Sequence, residues 1–151
     1  MKQDSHKEQN IKELLSYEGL WKDLYSHSTI CLKVYNGNLF APYCYGGDSC
    51  LMAHYFDIIL IENTLYGKFK WFSGTISGYA FWRKTDDNIF QGGWWYEDRV
   101  PEDIKNNIQR LNDYSDGMVK VRMRRIGNIN EFPVWAKKYF DDLENDDIRF
   151  E

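Results

Sequence analysis

The chain has 151 residues, 43% hydrophobic and 28% charged, with a formal net charge of −4, which suits one globular domain that buries a core without metal or disulfide staples. Three cysteines, Cys31, Cys44 and Cys50, are too few for a disulfide scaffold. The longest apolar run, Ile58 to Ile61, is far too short for a membrane helix.

The first residues, with Lys2, Asp4, His6, Lys7 and Glu8, lack the apolar centre of a signal peptide, so a reducing cytoplasm is expected and no membrane partner. The mild net charge makes no case for nucleic acid, and none is expected. Aromatics reach 17%, enough to fill a core, line a cavity or form a sticky surface.

Ile11, Leu14 and Leu15 stand at helical spacing, and Ser5 with Glu8 resembles a capping box, predicting a short amphipathic helix over 5–16. Strand signals follow. Ile30, Leu32 and Val34 alternate up to Asn36-Gly37, the strongest short hairpin signal because a type I′ turn needs positive φ at both central residues. The return strand runs through Leu39, Phe40 and Tyr43, with Pro42 making it an edge or ending its regular pairing. Gly46-Gly47-Asp48 reads as a loop, and Leu51 to Ile61 as a strand.

From Tyr66 to Tyr96, glycines at 67, 74, 78, 92 and 93 break a dense aromatic run. Aromatics favour strands, and glycines within strands mark bends or close backbone approach. Strands are predicted at 65–72, 75–83 and 88–96, and the short links between them require antiparallel neighbours. After Pro101, acidic Glu102 and Asp103 precede Ile104, Ile108 and Leu111 on one face, predicting a helix. Val119, Val121 and Met123 alternate with Lys120, Arg122 and Arg124, a half-buried strand with a basic outer face. A last helix from Pro133 buries Trp135, Ala136, Tyr139, Phe140 and Leu143, and an acidic tail follows.

The resulting fold class is α+β: a strongly curved antiparallel sheet or barrel of about six or seven strands. It forms one domain over 1–151, with an N-terminal helix in 1–17, a β meander in 18–98 and helix–strand–helix in 99–151.

Gly19-Leu20-Trp21, after a short helix and before the meander, resembles the G-x-W signature that opens lipocalin-like (calycin) barrels. That resemblance implies a tryptophan closing one barrel end under a basic side chain from late in the chain, a part for Arg122 or Arg124 through a cation–π contact. The chain departs from the family in placing a helix between its late strands and in lacking the expected second motif.

Gly92-Gly93-Trp94-Trp95-Tyr96 is the densest aromatic site. Strand geometry sends Trp94 and Tyr96 to one face and Trp95 to the other. One face lines core; the other meets a helix or a pocket. The candidate ligand-binding residues are Trp71, Tyr79, Trp82, Trp94 and Trp95, with Arg122 and Arg124 to balance ligand charge.

Cys44, Cys50 and His54 form C-x5-C-x3-H, poor spacing for zinc, so no metal and no cofactor are expected. Gly47-Asp48-Ser49 lacks a histidine in triad context. Glu97 and Asp98 sit on opposite faces of any strand. No complete catalytic set emerges. The expected role is non-catalytic binding of a small flat or amphipathic ligand on an aromatic concave surface. The alternative is an immunity-type or inhibitor module that meets a protein partner through an acidic or aromatic surface.

Overall fold

The computed structural model describes residues 11–45 and 51–148. Eight strands run in chain order: β1 (Gly19–Asp23), β2 (Thr29–Tyr35), β3 (Asn38–Cys44), β4 (Ala53–Ile61), β5 (Thr64–Trp71), β6 (Ser77–Asp86), β7 (Ile89–Tyr96) and β8 (Val119–Gly127). Each pairs antiparallel with the next, and β8 pairs back onto β1, closing the barrel.

The expected six or seven strands are therefore eight. The strand that sequence reading missed is β1, whose inward positions are Gly19, Trp21 and Asp23. A glycine and an aspartate on the inner face hide the apolar alternation by which strands are recognised. This short strand closes the cylinder, and it carries the Gly19-Leu20-Trp21 motif.

The Asn36-Gly37 hairpin forms as expected: both residues have positive φ (50° and 80°), and Tyr35 pairs with Asn38. Strand β3 is not an edge, since it pairs with β2 and β4. Its pairing with β2 keeps one register but is interrupted between the Ile30–Tyr43 and Lys33–Phe40 pairs, where Pro42 has no N–H to donate. Gly78 packs where β5, β6 and β7 crowd together. A Cβ there would overlap the Trp95 carbonyl and the Phe69 ring, so the close approach requires glycine.

The helical parts differ in one respect from expectation. Residues 11–15 form the described part of the N-terminal helix, α1; Ser5 and Glu8 lie outside the described residues. Leu14 is buried and Leu15 exposed. The helix expected after Pro101 is broken into α2 (Glu102–Lys105) and a 3-10 turn over Ile108–Asp113. Asn107 between them has φ −136° and ψ 72°, and two successive asparagines are poor helix formers because their side chains compete for the backbone. Ile104 and Leu111 are buried nonetheless, against Tyr66, Phe81 and Trp95 on the outer barrel wall. Helix α3 (Val134–Glu144) forms as expected after Pro133 and packs Ala136, Tyr139, Phe140 and Leu143 on the outer side near Cys31.

The main core lies inside the barrel, and the two outer clusters lie under the helical segments. No helix among the described residues is long and apolar enough to cross a membrane.

Candidate binding cavity in the barrel

The two ends of the barrel are built differently. At the end where α1 enters, Trp21 is fully buried and stacks on Phe90 with ring centroids 4.2 Å apart. Tyr17 stacks on the same phenyl ring at 5.6 Å, and the Trp21 indole N–H donates to the Tyr17 carbonyl at 3.1 Å. The Arg125 guanidinium lies 4.6 Å from the Trp21 ring centroid, within cation–π range. It also donates to the carbonyls of Glu18 (2.7 Å), Ser16 (2.8 Å) and Asp87 (2.9 Å). One side chain thus ties α1, the β6–β7 turn and the indole together and seals this end.

Neither Arg122 nor Arg124 performs that part. On β8 the inward residues are Val121 and Met123, so the next position in phase is Arg125, whereas Arg122 and Arg124 project outward. Arg124 is exposed. Arg122 lines, with Arg83, an open groove outside the barrel wall.

At the opposite end the interior opens into a cavity of about 240 Å³. Its walls are aromatic: Tyr43, Tyr55, Phe69, Trp71 and Trp94. Alternation along β3 and β4 sends Ala41 and Tyr43, then Ala53 and Tyr55, inward. Tyr43 and Ala53 pair nearer the mouth, and Ala41 and Tyr55 pair one step deeper. Tyr43 and Tyr55 stack at 4.8 Å, and Trp94 meets Phe69 edge-on at 5.5 Å. Burial holds both phenols well above the usual tyrosine range, so each remains a neutral hydroxyl.

One wall is polar. Asp23, the last residue of β1, is only 5% exposed and lines the cavity beside Ser26 and Ser28. Its carboxylate accepts from the Ser26 hydroxyl (2.7 Å), the Tyr25 backbone N–H (3.2 Å) and the Arg122 backbone N–H (3.3 Å). Tyr25, Tyr45 and Lys120 complete the mouth.

The sequence-derived candidates divide among three places. Trp71 and Trp94 line the cavity. Trp82 is inside the barrel but deeper, packed between Tyr55 (4.5 Å) and Phe90 (6.1 Å). Tyr79 and Trp95 face outward beneath the α2 segment, where the Trp95 indole donates to the Asp116 carbonyl at 3.0 Å. The aromatic run therefore does not share one concave side, because alternating β6 and β7 residues feed opposite faces of the wall.

Of the weaker constellations, Cys50 and Gly47-Asp48-Ser49 lie outside the described residues. His54 is buried on the outer face of β4 and bonds the Tyr139 hydroxyl at 2.6 Å. Glu97 accepts from the Ser77 hydroxyl at 2.8 Å at the surface. Sequence reading missed Asp23, Tyr43, Tyr55 and Arg125. Strand parity offered a signal for Arg125 alone.

A scan against protein-family models finds no match, and neither the curated proteins nor the solved structures yield one.

Proposed function

We propose that this protein is a non-catalytic binding protein of the lipocalin-like kind, holding a small flat or amphipathic ligand in the open end of its barrel. The observation that carries this reading is the asymmetry of the interior: one end plugged by Trp21, Phe90 and Arg125, the other hollow and walled by aromatic rings. An eight-stranded barrel has an interior just wide enough for side chains or one small ligand. Where side chains leave space beside a few polar groups, a small molecule is the ordinary occupant. At about 240 Å³ the hollow falls slightly below the ~300–1,000 Å³ of common ligand sites, which favours a compact ligand. The tryptophan clamped by a late arginine supports the lipocalin-like assignment, with Arg125 in place of Arg122 or Arg124. We place the protein in the cytoplasm, on the cysteine count alone.

Intrinsic tryptophan fluorescence against a panel of compact aromatic and amphipathic metabolites tests this. Saturable changes that disappear in Trp71→Phe together with Trp94→Phe support it. A folded protein that responds to no member of the panel contradicts it.

A second reading, a module that docks on a protein partner, is favoured by the exposed rings at the same end, notably Tyr25 (61% exposed), Tyr45 (49%), Phe72 and Tyr96. Apolar patches of this kind mark interaction sites. Serine substitution of Phe72 and Tyr96, exposed rings that do not line the cavity, would abolish partner capture under this reading and leave small-molecule titrations intact.

A further inference from the structure

Resting on the cavity as a ligand site, we propose that the ligand is a small amine or alkylammonium cation, its charge against Asp23 and its body against Tyr43, Tyr55, Trp71 and Trp94. Asp23 has a buried carboxylate whose three partners are all neutral: a hydroxyl and two backbone N–H groups. Among the described residues no lysine, arginine or histidine nitrogen stands within ion-pair distance of it. Burying a carboxylate without a counter-charge is costly, and the carboxylate's roughly four acceptor directions leave one for a further donor.

The hydrogen bonds to Tyr25 and Ser26 also brace the β1–β2 turn, which a serine or asparagine would do without carrying charge into a cavity. Burial first, then the neighbouring Tyr43, and last the Asp23 carboxylate hold the Tyr55 phenol above its usual range.

The walls fit the same ligand class. Tyrosine and tryptophan ring faces attract cations, more strongly where water is excluded. Four such rings and one carboxylate around a compact hollow form a box for an ammonium group. The basic residues do not reverse this preference. The Arg122 and Arg124 side chains are outside the wall, and Lys120 sits exposed at the rim, where solvent and salt screen it. An anion would bring its charge against Asp23 at short range.

Three probes of the same shape separate charge from size: phenethylamine, 2-phenylethanol and phenylacetate, each titrated into the full-length protein by calorimetry. A charge-assisted hydrogen bond in a partly dry site predicts that phenethylamine binds at least about tenfold tighter than the alcohol. Phenylacetate binds weakest. In Asp23→Asn the amine-to-alcohol ratio collapses to within about twofold. An alcohol equal to or tighter than the amine overturns the assignment, as does phenylacetate in first place or an Asn variant that keeps the ratio. If the Asn variant does not fold, the wild-type ranking decides alone. Equal binding of all three leaves the cavity as a ligand site and removes the amine; binding of none, together with a silent metabolite panel, removes both.

Discussion

The two ends of this barrel share the same eight strands, yet one is solid and the other hollow. At the closed end Trp21, Leu32, Leu39, Leu65 and Phe90 are almost wholly buried, and α1 with Arg125 covers them. At the open end the inward positions are taken by Asp23, Ser28, Tyr43, Tyr55, Trp71 and Trp94, which stand against the wall and leave the centre unfilled. Backbone closure thus does not decide whether a barrel is packed. The side-chain supply at each end decides it, together with whether an external segment caps that end.

The sharpest way to break this comparison is to remove the plug. Trp21→Ala should cost about 3–5 kcal/mol of stability, the usual loss for a large buried aromatic, as measured by urea unfolding. A loss below about 1 kcal/mol would mean that this end is loosely packed.

The next largest effect lies outside the barrel, at the seam between β4 and α3, and serves as a control on both ends. Burial, and secondarily the charge of Lys70, pushes the His54 pKa down to about 4 from 6.5. Because the folded-state value is the lower one, the unfolded chain takes up its proton first as the pH falls. Stability from this residue is complete above about pH 6.5 and drains away between about 6.5 and 4, by on the order of 3 kcal/mol in total. His54→Gln should flatten the stability profile in that window, and an unchanged slope would show that His54 titrates normally.

Arg125→Gln removes the cation over Trp21 and the bonds to Ser16, Glu18 and Asp87. It should cost about 2 kcal/mol, measured as the urea midpoint, whereas Arg124→Gln should change stability by less than about 0.5 kcal/mol. Equal effects would contradict the assignment of the clamp to Arg125. The smallest stability change is expected at the hollow end. Trp94→Phe there loses less than about 1 kcal/mol, yet weakens ligand titrations; Trp95→Ala, on the outer wall, costs about 3–5 kcal/mol and leaves them unaffected.

Much of the wall was legible from residues alone, and the reasons are local. Asn36-Gly37 specifies its turn by backbone chirality, and the apolar alternation of β2, β8 and the aromatic run fixes which elements are strands. Strand β1 escaped because Gly19 and Asp23 occupy its inner face. The helix after Pro101 was overextended because the 3.6-residue spacing of Ile104, Ile108 and Leu111 persists through Asn106 and Asn107, where the backbone departs from it. The expectation of Arg122 or Arg124 as the clamp overlooked strand parity, which points to Arg125, in phase with Met123 where those two are not. The cavity was not legible, because tyrosines at inward positions look the same whether they fill an interior or line one. Only the closure of the sheet and the capping of one end distinguish the cases.

The central claim is that the indoles of Trp21 and Trp82 sit in a sealed half of the barrel while those of Trp71 and Trp94 face a solvent-connected hollow. Fluorine NMR of 5-fluorotryptophan-labelled protein, assigned by single Trp→Phe substitutions and challenged with a small soluble nitroxide, tests it directly. Signals from Trp71 and Trp94 should broaden while those from Trp21 and Trp82 stay sharp. Sharp signals from all four, or a Trp21 signal as broadened as that of Trp94, would contradict the account.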